Sequence, residues 1–157
     1  MQDIRRTNWD DNVPTDEYWK ELFRVSKNQI VWGGNYFGLP AHRCFIVWDK
    51  MTYVPTMSQV EQAWTSFDSP ARLKKINSNN SNRIHPTEKP VQLYKWLLKE
   101  YAKQGDKILD THLGSGSIAV ACHYAEFDLT ACEIDTKYFN DAKKRIMYET
   151  AQQTLQF

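Results

Sequence analysis

The sequence predicts an α/β protein built on a doubly wound sheet, and the second half of the chain carries the prediction. Short apolar runs, Lys107 to Leu109 and Leu129 to Cys132, alternate with helical patterns over Ser117 to Tyr124 and Tyr138 to about Gln152. Between the first run and its helix stands Asp110-Thr-His-Leu-Gly-Ser-Gly-Ser117, which reads as a strand that stops on a carboxylate, turns through two glycines and opens a helix. Gly114 and Gly116 lack a Cβ, so the backbone there can take φ > 0 and let a ligand lie against its amides. The second run ends on Glu133, an acid placed where ribose hydroxyls are commonly held. Two strand ends with two carboxylates then face one crevice. A Gly-Ser-Gly turn is by itself common in α/β proteins that bind nothing, and the third glycine of the dinucleotide fingerprint is absent. That absence argues against a Rossmann-type oxidoreductase.

At 157 residues the chain is about one domain long, and the expectation is a single domain over 1–157 whose strands share one sheet. Apolar content of 41% and charged content of 25% are those of a soluble globular protein. No run approaches the roughly 18 uninterrupted apolar residues that a membrane span needs, and Met1 opens no secretory pattern. Cys44, Cys122 and Cys132 are an odd number at irregular spacing, each inside an apolar segment, so buried thiols in a reducing cytoplasm are expected, with no zinc pattern. A net charge of +1 leaves nucleic acid open as a partner, because a local basic face can suffice.

The elements follow in order. Residues 1 to 13 are polar and aperiodic and read as an arm. From Pro14 to Ser26, Thr15 can cap, Asp16 and Glu17 suit a first turn, and Tyr18, Trp19, Leu22 and Phe23 recur at helical spacing. Gln29 to Trp32 is a short buried strand stopped by Gly33-Gly34, and Arg43 to Trp48 a second one stopped by Asp49-Lys50, with a turn signal at Gly38-Leu-Pro40 between them. Val60 to Phe67 alternates weakly and fits a third strand or a short helix. Ala71 to Arg83 sets Arg72, Lys74, Lys75 and Arg83 around Asn77-Ser-Asn-Asn-Ser-Asn82, a basic, turn-rich loop that is either a solvated surface or a carrier of function. His85-Pro-Thr-Glu-Lys-Pro90 is a rigid entry into a helix over Val91 to Lys103, which Gly105 ends.

With His85 to Pro90, Asp110 to Ser117 and Cys132-Glu-Ile-Asp135 in this order, the C-terminal half resembles the cofactor half of the β-class DNA amino-methyltransferases. The likeness extends upstream through Ile30 to Phe37, Cys44 to Lys50 and Ala63 to Asp68, and so covers nearly the whole chain. It implies a Rossmann-like fold, S-adenosylmethionine as cofactor in a half spanning 84–152, and methyl transfer to N6 of adenine or N4 of cytosine in a flipped DNA base. Carried over by position, Asp110, Leu113, Gly114, Ser115, Gly116 and Ser117 line the methionine and ribose portions, and Glu133 accepts from the ribose hydroxyls. Pro86 and Thr87 close over the methionine moiety. Thr111 and His112 stand where the family commonly has Pro-Phe; His112 reads either as a ligand contact or as a partly exposed structural histidine.

The family's catalytic signature is Asp, Asn or Ser before Pro-Pro and an aromatic residue, and no two of the prolines at 14, 40, 55, 70, 86 and 90 are adjacent. The resemblance therefore implies a fold incomplete by two N-terminal strands, with the missing catalytic strand beside the one ending at Asp110. The open edges call for another strand of this chain, a second copy, or a complementing polypeptide. Asn35, followed by Tyr36 and Phe37, is a weak substitute for the polar group, since it lacks the prolines that aim the motif's carbonyl. Trp64, Phe67, Arg72, Lys74, Lys75 and Arg83 are candidate DNA-side residues, with core packing the competing reading for the two aromatics. The alternative to an active enzyme is an inactive, truncated relative or subunit that retains cofactor binding or only the fold.

Overall fold

In the computed structural model, which describes residues 13–78 and 83–151, helix α1 (Asp16–Val25) starts where Thr15 Oγ1 accepts the Tyr18 amide at 3.3 Å. None of its residues is buried, and its aromatic side chains pack at the surface, Trp19 against Phe37 and Phe23 against Trp64. The arm expected over residues 1 to 13 lies almost wholly outside the described residues.

Strands β1 (Ile30–Trp32), β2 (Phe45–Asp49), β3 (Val60–Thr65) and β4 (Arg72–Lys75) form one sheet in the order β1-β3-β2-β4. β3 runs antiparallel to β1 and β2, with Ile46 opposite Ala63, and β4 lies parallel to β2, with Ile46 opposite Arg72. The period of two sends Ile46, Trp48, Ala63 and Thr65 into the core, where Cys44 joins them. The strand reading of 60 to 67 holds. The basic stretch from 71 to 83 is not wholly a loop: Arg72 to Lys75 is an edge strand, and Trp48 Nε1 donates to the Ile76 carbonyl at 2.9 Å just beyond it. Three cations in four residues suit an edge, since charge discourages further pairing.

Residues from Ser78 onward make a second compact unit, the first ending at Asn77. Helix α2 (Val91–Tyr101) begins after Pro90, whose fixed φ of −61° and missing N–H cost nothing there. It ends at Tyr101, short of the expected Lys103, and Gly105, at φ +91°, serves the turn that leads into β5. β5 (Lys107–Asp110), α3 (Ser117–Ala125), β6 (Asp128–Ala131) and α4 (Thr136–Ala151) follow, with β5 and β6 parallel and Asp110 opposite Ala131. Leu98, Ala121 and Cys122 form the centre of this unit, with Ile108, Ile118 and Leu129 packed around them. Asp135 Oδ1 accepts the Tyr138 amide at 2.9 Å and starts α4 two residues earlier than its apolar pattern.

Two sequence expectations are corrected here. Among the described residues the strands make two sheets, of four and two strands, where one shared sheet was expected. Among the described residues β5 pairs with β6 alone and β1 with β3 alone, so each keeps one edge outside the ladders. Cys132 is exposed, while Cys44 and Cys122 are buried, because Cys132 continues the alternation of β6 on the face where Asp128 and Thr130 are exposed.

Candidate functional site

The site is built where β5 and β6 end, within the second unit. Asp110 closes β5, and its Oδ1 accepts the His112 amide at 2.9 Å, which bends the chain out of the strand. The ladder runs one step further: Cys132 donates its amide to the Asp110 carbonyl at 2.9 Å, and Leu113 donates to the Cys132 carbonyl at 2.8 Å. Gly114 and Gly116 both stand at positive φ, +53° and +76°. A Cβ on Gly116 would lie 3.0 Å from Ile146 Cδ1 and 3.3 Å from Ala142 Cβ, so this glycine also lets α3 and α4 close together.

Glu133 ties the two strand ends. Its Oε2 accepts the Gly114 amide at 2.8 Å and its Oε1 the Asp135 amide at 2.9 Å. With Leu113 bonded to Cys132 and Gly116 donating to the Leu113 carbonyl at 3.0 Å, three amides of the turn already have protein partners. What the turn presents is therefore carboxylate more than amide. Burial raises the Asp110 carboxyl above its ordinary range, against the opposing pull of the His112 amide, and the Glu133 charge adds to the rise. A carboxylate oxygen has room for a second donor, so Asp110 and Glu133 together form an acceptor-rich site.

His85 covers this turn. Its ring is buried, would meet a methyl on Gly114 at 3.7 Å, and lies edge-on to Tyr138 with centroids 4.4 Å apart. The Thr87 amide donates to His85 Nδ1 at 3.2 Å and the Thr87 hydroxyl lies 3.0 Å from the same atom, so the neutral ring carries its proton on Nε2. Burial lowers the His85 pKa and keeps the ring neutral, although Glu133 and Glu88 oppose this. Pro86 and Thr87 are exposed beside it. His112 is exposed too, its Nδ1 2.9 Å from Thr111 Oγ1.

The structure thus gathers Asp110, Leu113, Gly114, Gly116, Glu133, Pro86 and Thr87 around one turn. Ser115 and Ser117 point elsewhere: both are buried, their hydroxyls 3.1 Å apart, and Arg145 Nη1 donates to Ser117 Oγ at 3.0 Å. Arg145, Glu88 and Tyr138 are the residues that sequence reasoning missed. The only local signal for Arg145 was an acid four residues on, Glu149, whose Oε1 it meets at 2.6 Å.

The candidate DNA-side residues fall mostly in the first unit. Trp64 is held as a packing group: its Nε1 donates to the Pro40 carbonyl at 2.7 Å, and Gly34 packs so tightly on it that a Cβ there would lie 2.4 Å from Trp64 Cβ. Phe67 is half-buried. Arg72 and Lys75 are exposed on β4 and Lys74 half-buried, with Lys75 Nζ 3.9 Å from Asp49. Arg83 Nη2 donates to the Ser78 carbonyl at 2.5 Å, and residues 79–82 lie outside the described residues. Asn35 is exposed in a 3₁₀ turn (Gly34–Tyr36) beside the exposed Tyr36. The turn-forming stretch after β2 adds exposed Met51, Tyr53 and Met57 beyond the carboxyl end of β2. Among the described residues no group of three His, Cys, Asp or Glu is placed to hold a metal ion, and no helix is long and apolar enough to cross a membrane.

Against known proteins, a family profile described as DNA methylase matches residues 2–144. Type II methyltransferase M2.DpnII of Streptococcus pneumoniae is 24% identical over 146 residues, 93% of this chain and 52% of the relative. Type II methyltransferase M.HpaI of Haemophilus parainfluenzae is 31% identical over 68 residues, 43% of this chain and 22% of the relative. The chain thus spans about half the length of the first and less of the second. Among solved structures, the crystal structure of an M1.HpyAVI–SAM complex superposes with a TM-score of 0.50 at 25% identity, covering 65% of this chain and 60% of the other. The cytosine-N4-specific PvuII DNA methyltransferase superposes with a TM-score of 0.53 at 12% identity over 69% of this chain and 55% of the other, a likeness of fold. Both likenesses fit a Rossmann-like α/β fold that is present in part.

Proposed function

The chain belongs to the DNA methylase family, and on that premise we propose that its second unit holds S-adenosylmethionine for methyl transfer to the exocyclic amine of a flipped DNA base, N6 of adenine, in the cytoplasm. The observation that carries the reading is the donor–acceptor balance at the ends of β5 and β6. The cofactor carries a sulfonium, an ammonium and two donor ribose hydroxyls against one carboxylate, and the site offers acceptors, Asp110 and Glu133, to that positive and donor side. A phosphate-bearing cofactor fits poorly, since two carboxylates repel it and the amides of Leu113, Gly114 and Gly116 are engaged within the protein. The residues present therefore fit S-adenosylmethionine.

In this reading Asp110 takes the ammonium, Glu133 the ribose hydroxyls, and the Pro86–Thr87 segment lies over the methionine chain. When bound, the cofactor supplies a methyl group on a sulfonium, which leaves without needing an acid. The acceptor amine is the harder partner, because its lone pair is conjugated into the base ring. A protein group must accept its N–H bonds and hold it in line with the methyl carbon. Asn35 with Tyr36 is the weak candidate for that task within this chain. Arg72, Lys74, Lys75 and Arg83 would meet DNA phosphates. A second copy or a complementing polypeptide would complete the sheet.

Isothermal calorimetry with S-adenosylmethionine, followed by transfer of a labelled methyl group to DNA and mass analysis of the methylated base, tests the reading. Binding with label on N6-methyladenine supports it. Label on N4-methylcytosine changes the target, and the absence of binding overturns the cofactor role. A second reading has its own observation, the lack of any Pro-Pro pair. Cofactor binding without methyl transfer would favour that reading, a chain that keeps the cofactor half and needs a partner to act.

A further inference from the structure

Arg145 lies in α4, away from every glycine and acid that marked the site, yet its guanidinium touches both segments of it. Nη1 donates to the Ser115 carbonyl at 3.1 Å and to Ser117 Oγ at 3.0 Å, which grips the glycine turn from behind. The same nitrogen lies 3.3 Å from Glu88 Oε1, with only 16% of the Arg145 side chain and 5% of the Glu88 side chain exposed. Glu88 in turn holds its own loop: Oε2 accepts the Ile84 amide at 3.1 Å, and its amide donates to the His85 carbonyl at 3.1 Å. His85 is the ring that covers Gly114.

This placement runs against the local field. Ser115 and Ser117 stand at the N-terminus of α3, the positive end of the helix dipole, where a cation is disfavoured. Two carboxylates offset it, Glu88 on one side and Glu149 Oε1 at 2.6 Å on the other. A desolvated pair of this kind contributes little net stability compared with apolar groups of the same size, but it fixes geometry, because a planar fork accepts only one arrangement of partners.

We propose that Arg145 and Glu88 are a positioning pair for the cofactor site, locking the His85–Pro90 segment to the 113–117 turn so that Thr87, Gly114 and Glu133 stand ready together. The proposal rests on the reading of this site as one for S-adenosylmethionine. Neither residue meets the cofactor in it; each acts through the backbone it holds.

The test compares wild type with Arg145→Met, Arg145→Lys, Glu88→Gln, the cycle partner Arg145→Met/Glu88→Gln and the apolar double variant Arg145→Met/Glu88→Leu. Two readouts are used, S-adenosylmethionine affinity by calorimetry and hydrogen exchange of the unliganded protein. Affinity is expected to fall at least tenfold in Arg145→Met, and to fall also in Arg145→Lys, which keeps the charge and loses the fork. The Glu88→Gln loss should vanish in the Arg145→Met background. The apolar double variant should melt near wild type and still bind at least tenfold more weakly, a result that a merely structural role does not give. Exchange at the Gly114 to Ser117 amides should rise at least tenfold in Arg145→Met and stay unchanged at Leu97 and Leu98. A folded apolar double variant that binds like wild type, or unchanged exchange at the turn, overturns the pair. If wild type itself binds no S-adenosylmethionine, the cofactor reading falls and the exchange result alone decides the clamp.

Discussion

Glu133 Oε2 accepts the Gly114 amide at 2.8 Å, so the acid at the end of one strand shapes the glycine turn at the end of its neighbour. The same carboxylate accepts the Asp135 amide, at 2.9 Å, at the entry to α4. Replacing it with alanine leaves two amides without their acceptor. Glu133→Ala is expected to cost about 1–3 kcal/mol in urea unfolding and to weaken S-adenosylmethionine binding more than tenfold by calorimetry. Glu133→Gln keeps one acceptor oxygen and should fall between the two. An alanine variant as stable as wild type would remove Glu133 from the turn's support.

The glycines separate strain from contact. Gly116 combines φ +76° with a Cβ position 3.0 Å from Ile146 Cδ1, whereas Gly38 shows neither a positive φ nor any atom within 4 Å. Gly116→Ala should therefore destabilise by about 2–4 kcal/mol, from strain and overpacking together. Gly38→Ala should stay within about 0.5 kcal/mol of wild type. Gly105, at φ +91° with open space around it, isolates the strain alone and should cost about 1 kcal/mol. Equal losses at the three positions would contradict the packing of α4 on the turn.

The two site groups with shifted pKa values respond to acid in opposite senses. His85 is depressed below 6.5 in the folded protein, so its contribution to stability is intact above 6.5 and is lost as pH falls through the folded value. Asp110 is raised above 3.8, so its contribution is full below 3.8 and is lost as pH rises through the folded value. Melting temperature should fall as pH drops below 6.5, and His85→Asn should flatten that fall. Cofactor affinity needs ionised Asp110 and should decline on acidification at a higher pH than an ordinary carboxylate would give. Asp110→Asn should bind weakly at every pH without that decline.

Thiol chemistry distinguishes the three cysteines. Burial pushes the Cys122 thiol up to about 11, and Cys44 is also buried, whereas Cys132 is exposed. Iodoacetamide at about pH 8 should label Cys132 first and leave Cys122 unmodified in the folded protein, since the thiolate is the reactive form. Peptide mass analysis of a partly labelled sample reads this, and early labelling at Cys122 would contradict its burial.

Charge on β4 is separable from the Trp64 packing site. If the basic edge strand meets DNA phosphates, Arg72→Gln with Lys75→Gln should lower the slope of log K against log salt by up to about 2 while leaving the melting temperature nearly unchanged. Trp64→Ala should instead destabilise by about 3–5 kcal/mol, with DNA affinity following stability. An unchanged salt slope in the double variant would take β4 out of the DNA-facing surface.

The sequence by itself determined the order and kind of nearly every element, the glycine turn, its two carboxylates, and the family. Those features are local: a strand alternates every two residues, a helix recurs every three to four, and a turn needs its glycine where φ is positive. Tertiary structure decided what no local pattern encodes. Arg72 to Lys75 became a strand because β2 offered it a ladder, not because its side chains alternate. The turn's amides, expected to face a ligand, went largely to Glu133 and to neighbouring carbonyls. Arg145 joined the site through partners as distant in sequence as Glu88 and Ser115. Hydrogen bonds and ion pairs depend on where chain segments meet in space, and that meeting is set by burial and strand pairing over the whole unit rather than by the residues on either side.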